Sequence, residues 1–123
     1  MNIERIPSPL PVPFSKAVRA GGFLFLSGVL AMDAKGGVID GDVQVQTRAV
    51  LERIAQTLGE CGTSMASVIR ATIWLADLAD FAAFNQEYAK HFPEGLPSRS
   101  CVQAVLYKGA KVEIEVQALD IRQ

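Results

Sequence analysis

Histidine, cysteine and tryptophan are scarce in this chain, and neither charge nor apolar sequence is concentrated in any one part of it. One histidine, His91, stands among 123 residues. A protein metal centre gathers several nitrogen or sulfur ligands at close spacing, so no metal is expected. The two cysteines, Cys61 and Cys101, are too few for a disulfide scaffold, and a reducing cytoplasm is the expected compartment. Twelve Lys and Arg against thirteen Asp and Glu leave a formal charge of -1. Phosphate backbones call for a basic surface, so no nucleic-acid partner is expected. The longest apolar stretch, Phe23 to Met32, is interrupted at Ser27-Gly28 and is too short to span a bilayer. Met1-Asn2-Ile3-Glu4-Arg5 lacks the basic-then-apolar order of a secretory signal, and no membrane association is expected. Repeats, linkers and low-complexity runs are missing too. Half of the residues are apolar, enough for one compact domain with a core, expected to fill residues 1–123.

Proline stands at every second position from Pro7 to Pro13. That segment is extended and cannot be a central strand, because each proline lacks an amide donor. Phe23 to Ser27 reads as an apolar strand, and Ser27-Gly28 breaks its alternation as a bulge or a close backbone approach would. Ala34 to Gly37 reads as a turn, followed by the short strand end Val38-Ile39. Asp42 is placed to cap a helix from Val43 to Cys61, whose Val43, Val50, Leu51, Ile54 and Leu58 form one stripe, and Gly62 stops it. Val68 to Ala76 is rich in β-branched residues and reads as a buried strand. Asp80 is expected to cap a second helix that turns Phe81, Phe84, Tyr88 and Phe92 toward the sheet. Cys101 to Leu106 and Lys111 to Ile121 read as a closing hairpin turning through Tyr107 to Ala110.

The result is an α+β domain, two helices over one face of a mostly antiparallel or mixed sheet. On the last strand Val112, Ile114, Val116 and Ala118 share the face toward the helices. Lys111, Glu113, Glu115, Gln117 and Leu119 share the other. Two helices cannot cover both faces. The second is partly apolar, so a homo-oligomer is expected.

Few residues suit chemistry. Arg99 presents a planar fork of donors that can hold a carboxylate, or it is a surface arginine at a strand start. Glu115 can act as a general base or orient a water, or it belongs to a solvated face. In a closing hairpin Arg99 would lie nearer residues 117 to 121 than Glu115, so the two would meet only across a subunit boundary or through a ligand. Cys101 has no nearby base in the sequence and reads as an inert thiol. Asn85 reads as a polar helix position. Ser27-Gly28 offers a hydroxyl and a backbone amide to a ligand, or simply forms a bulge. Gly36-Gly37 and Gly41 are turn glycines and form no phosphate loop.

Six segments occur in an order that resembles the RidA/YjgF family of enamine/imine deaminases. They are Pro13-Phe14-Ser15-Lys16-Ala17, Phe25-Leu26-Ser27-Gly28, Gln46 to Leu51, Asp80 to Asn85, Pro97-Ser98-Arg99-Ser100 and Val112-Glu113-Ile114-Glu115. The resemblance runs from about residue 12 to 120. It implies a chorismate-mutase-like α+β fold and a homotrimer built around a central sheet barrel, with sites at the subunit boundaries. It assigns carboxylate binding to Arg99 and water activation to Glu115. Phe14, Ser27, Gly28, Asn85 and Cys101 match its pocket positions. The implied reaction is hydrolysis of 2-imino or 2-enamino acids to 2-oxo acids and ammonia. No cofactor is implied, because an imine is already electrophilic.

The sequence departs from the family pattern in its pocket wall. Phe14 replaces a tyrosine, Val29-Leu30-Ala31 replaces Gln-x-Pro, Gln103 replaces a glutamate, and the closing turn is one residue shorter. Two other functions fit the same fold. One is a non-catalytic binder of small carboxylates or 2-oxo acids. The other, weakest on a chain with balanced charge and one histidine, is an endoribonuclease.

Overall fold

A computed structural model of the protein describes residues 2–121; the expected domain bounds at residues 1 and 123 lie just outside them. Strands β1 (Ile3–Pro7), β2 (Ser15–Ala20), β3 (Phe23–Leu26) and β4 (Val29–Leu30) precede helix α1 (Val43–Glu60). Then come β5 (Val68–Leu75), α2 (Phe81–Ala89), β6 (Ser98–Gln103) and β7 (Val112–Leu119). The strands form one mixed sheet in the order β1-β2-β3-β7-β5-β6, with β4 also paired to β7. Both helices lie on one face, as expected. No helix among the described residues is long and apolar enough to cross a membrane.

Helix α1 forms where its stripe and caps agree. The Asp42 carboxylate accepts a hydrogen bond from the Val45 amide at 2.9 Å, satisfying one of the free donors of the first turn. At the other end the Thr63 amide donates back to the Leu58 carbonyl at 2.9 Å. Gly62, at φ 89°, makes that return possible. Val50, Leu51, Ile54 and Leu58 are fully buried against the sheet. Helix α2 departs from expectation at its start. Asp80 makes no side-chain cap bond. Asp77 caps the short turn before it instead, accepting from the Ala79 amide at 2.9 Å. Phe84, Tyr88 and Phe92 are buried as expected, but Phe81 is 41% exposed.

The closing hairpin is the main correction. Strand β6 does not pair with β7: it lies parallel to β5, which in turn is antiparallel to β7. The reason is the helix between β5 and β6. A strand, a crossover helix and a strand return in parallel on the same sheet. Residues 104–111 then pass over the end of β5. The Ala104 amide donates to the Leu75 carbonyl and the Ala76 amide to the Lys111 carbonyl, each at 3.0 Å. That crossing delivers the chain to the far side of β5. It leaves β6 as an edge strand.

Strands β1 and β2 were not legible in the sequence. Their residues mix charge with small apolar side chains, and the proline run obscures their start. Pro7 ends β1 at the opposite edge of the sheet, where a missing amide is tolerated. Arg19 ties this edge to the core. Its guanidinium pairs with Glu4 at 2.9 Å and with Asp120, and donates to the Cys61 carbonyl at 3.0 Å.

The two faces differ sharply. Leu24, Ala71, Ile73, Leu75, Val112, Ile114 and Ala118, all fully buried, line the helix face. The open face carries Phe23, Phe25, Val102 and Leu119, each more than a third exposed.

Candidate functional site

Arg99 sits near the start of β6. Its register places it beside Ala71 and in line with Val116, both helix-facing. On that face it meets α2. Its Nη2 donates to the Asn85 Oδ1 at 2.6 Å. The guanidinium carbon lies 5.5 Å from the ring centres of Phe81 and Phe84 and 5.0 Å from that of Tyr88. No carboxylate among the described residues lies within ion-pair distance of it. Arg99 is thus a half-buried cation, walled by aromatic faces and without a counter-ion among the described residues. Such a group binds an incoming anion strongly, because the rings restrict its rotamers and exclude water from one side.

Cys101 follows two residues along on the same face. Burial pushes its thiol pKa up, and the positive charge of Arg99 pulls it partly back. The thiol therefore stays protonated and acts as a wall. The single histidine gives it no base: His91 Nε2 is engaged by Glu87 at 2.8 Å. Tyr88 has its hydroxyl buried without a partner. Burial raises that hydroxyl to about 12, against a smaller pull from Arg99.

A second group of residues gathers at the β3–β4 junction. Phe25 pairs with Gln117 and Val29 with Ile114. Residues 26–28 thus stand opposite residues 115–116, so the strand bulges by one residue, as the sequence suggested. The Ser27 hydroxyl donates to the Ser15 carbonyl at 2.7 Å and its amide to the Lys16 carbonyl at 3.2 Å. These bonds pin the bulge to β2 and engage the hydroxyl proton. Gly28 is a close approach as well. A Cβ there would overlap the Glu113 Oε2 and lie 3.1 Å from its carboxyl carbon.

Glu113 is the residue that sequence reasoning passed over. Burial, and then the charge of Glu115 two residues on, raise its carboxyl pKa above the usual range. The signal was present in the bare glycine at position 28. A bulge glycine makes room for something, and here that is the Glu113 carboxyl group. Glu115 lies on the same open face, opposite Thr72. Phe14, next to Ser15, is 55% exposed.

The expected site residues therefore fall into two groups. Arg99, Asn85 and Cys101 lie on the helix face at the β6 edge. Ser27 and Gly28 lie at the bulge, against Glu113 of the open face, which Glu115 shares, with Phe14 next in chain to Ser15. Strand β5 stands between β6 and β7, a separation of about 10 Å at the usual strand spacing. Arg99 and Glu115 also point to opposite faces. One protomer does not bring them together. A cavity of about 330 Å³ beside His91 and one of about 530 Å³ beside residues 103–110 are lined by neither Arg99 nor Glu113. No cluster of three or more His, Cys, Asp or Glu side chains fit to hold a metal occurs among the described residues.

Comparison with known proteins places this geometry in a family. The family model described as endoribonuclease L-PSP matches residues 7–120. The chain is 42% identical over 117 residues to the chloroplastic Reactive Intermediate Deaminase A of Arabidopsis thaliana, covering 94% of this chain and 62% of that protein. It is 42% identical over 113 residues to the 3-aminoacrylate deaminase RutC of Acinetobacter baylyi, covering 90% and 89%. Its fold superposes on the crystal structure of yeast Mmf1 with a TM-score of 0.90 at 27% identity, covering 97% and 99%. On these matches the chain belongs to the endoribonuclease L-PSP family, the family of the RidA, YjgF and RutC proteins.

Proposed function

We propose that the protein hydrolyses reactive 2-imino and 2-enamino acids to 2-oxo acids and ammonia, at sites completed between the copies of a homotrimer. The unpaired, ring-walled Arg99 is the observation that carries this reading. Two similar proteins that bear deaminase names support it.

The substrate is a carboxylate next to an electrophilic carbon. Arg99 holds the carboxylate through donors not used by Asn85, which fixes the direction from which water reaches C2. A carboxylate takes the water proton as the C–O bond forms, giving a tetrahedral carbinolamine. It then returns a proton to nitrogen as the C–N bond breaks and ammonia leaves. Glu115 is the base that the resemblance implies. Glu113 also suits the transfer, because burial raises its carboxyl pKa, and a carboxyl so raised takes up and returns a proton more readily than an ordinary one. Glu115 beside it supplies part of that shift.

The trimer answers the separation of the two groups. Exposed Phe23, Phe25, Val102 and Leu119 make the open face an apolar surface suited to packing against copies around a central barrel. In that assembly Arg99 of one protomer and Glu113 of its neighbour can flank one ligand. The assay generates 2-aminoacrylate with a separate dehydratase and follows 2-oxo acid release. No acceleration by the protein, or an equally fast Arg99→Ala variant, sinks the deaminase reading. Mixing Arg99→Ala and Glu113→Gln protomers tests the shared site, since only heterotrimers then hold an intact one.

Phe14 favours a second reading on the same cleft. Its exposed ring stands where the family pattern carries a tyrosine hydroxyl. Binding of 2-oxo acids in calorimetry, abolished by Arg99→Ala and unaccompanied by turnover, marks a carboxylate binder instead. RNA cleavage, named in the family description, fits the balanced charge poorly; degradation by nuclease-free protein would restore it.

A further inference from the structure

The rings around Arg99 are not equivalent. Phe84 is fully buried and Tyr88 is 3% exposed, whereas Phe81 is 41% exposed. Phe81 alone shows one side to the guanidinium and another to solvent. Its position follows from the fold. It opens α2 beside the edge strand β6, past which the sheet offers no further strand to cover it.

A carboxylate paired with the Arg99 guanidinium makes N···O contacts of about 2.8 Å. Adding carbon–carbon bonds of about 1.5 Å puts C2 and C3 of the ligand roughly 5–7 Å from the guanidinium carbon. The Phe81 ring centre lies 5.5 Å from that same carbon. A side chain leaving C3 toward α2 is thus at the right radius to reach the exposed ring. Leu78, one turn earlier, is 46% exposed and extends the apolar surface. Asn85, the polar group of this wall, already accepts from Arg99. Asp77 and Asp80 bracket the turn that leads into Phe81, and they oppose a second negative charge on the ligand.

Resting on the deaminase reading above, we infer that Phe81 is a specificity-determining residue. It selects monocarboxylic 2-imino acids whose side chain is apolar and several carbons long, over small ones and over acidic ones. One methylene in an apolar pocket discriminates about tenfold or more, and a half-exposed ring works toward the low end of that range.

The test generates imino acids in place with an amino-acid oxidase, from alanine, leucine, methionine and glutamate, and follows 2-oxo acid release. The wild type is expected to favour the leucine and methionine products over the alanine product, and the glutamate product least. Phe81→Ala is expected to lower the leucine-to-alanine ratio of kcat/KM by about tenfold, with the alanine product changed less than twofold. Phe81→Leu is expected to restore most of the ratio. A ratio unchanged in Phe81→Ala overturns the inference, while a wild type inactive on every imine overturns the deaminase reading alone. In that event calorimetry with 4-methyl-2-oxopentanoate and pyruvate decides. Loss of the preference for the larger acid in Phe81→Ala supports the role of Phe81, and equal loss for both overturns it. Thermal melts confirm that both variants fold.

Discussion

Glu87→Gln is the substitution whose cost the structure defines most closely. Glu87 sits on α2, its side chain 3% exposed, and its carboxylate takes two bonds from the Arg48 guanidinium of α1 at 3.1 and 3.2 Å. His91 adds a third at 2.8 Å, and Lys90 stands 3.6 Å away. These partners, Arg48 first and against the opposing cost of burial, hold the carboxyl at about 2 instead of 4.5. Each unit is worth about 1.4 kcal/mol, so the ceiling is roughly 3 kcal/mol. Arg48 is 52% exposed, and solvent screening brings the expected value to about 2 kcal/mol. A depressed carboxyl stabilises above its unfolded value and loses that contribution as pH falls through its folded one. Urea unfolding of wild type and Glu87→Gln should therefore differ by about 2 kcal/mol at pH 7 and converge as pH falls from 4.5 toward 2. Protein concentration is held fixed, because assembly would also stabilise the fold. A gap of the same size at pH 7 and pH 2.5 refutes the reasoning. The consequence reaches the candidate site, since the helix that Glu87 fastens also carries Asn85 and the rings around Arg99.

Gly28→Ala should leave the fold intact and abolish most activity, because the new Cβ takes the place of the Glu113 carboxyl; near-normal kcat/KM would remove Glu113 from the mechanism. Tyr88→Phe should be neutral or stabilise by about 1 kcal/mol in urea unfolding, since it deletes a buried hydroxyl that has no partner. A loss above that size would reveal an unseen bond to that hydroxyl. Glu113→Gln should raise the midpoint of thermal unfolding at pH 7. A carboxyl raised by burial holds its proton more tightly when folded, so its stability contribution is full at low pH and is lost as pH rises past 4.5 and through the folded value. The gain from the substitution should vanish near pH 3, where wild type is protonated too.

Local signals carried the helices and the central strands, and they failed where pairing was decided at long range. The α1 stripe, its Asp42 cap and its Gly62 stop each depend on neighbours within a few residues. The hairpin error had the opposite origin. Residues 101–106 and 111–121 are adjacent in sequence, so pairing them seemed natural. Yet α2 already formed the crossover that sets β6 parallel to β5. Site residues followed the same division. Arg99 stood out by its chemistry, and its link to Asn85 runs through packing that no spacing displays. Glu113 and Glu115 are indistinguishable by alternation; the bulge opposite them separates their environments.

The opposite-face arrangement of the two groups bears on what the fold is for. A sheet with helices on one face has a dry side and a side left for partners. Arg99 lies on the dry side, where aromatic walls and a low dielectric strengthen its attraction for an anion. Glu113 lies on the other, where burial is partial and a second carboxylate stands close by. Had both sat on the helix face, the arginine and the glutamate would pair with each other, depress the glutamate and neutralise the arginine. Keeping them on separate faces of one protomer leaves the arginine without that partner and the glutamate with a raised pKa. In the proposed site, shared across a subunit boundary, the two groups would meet the same substrate without first neutralising one another.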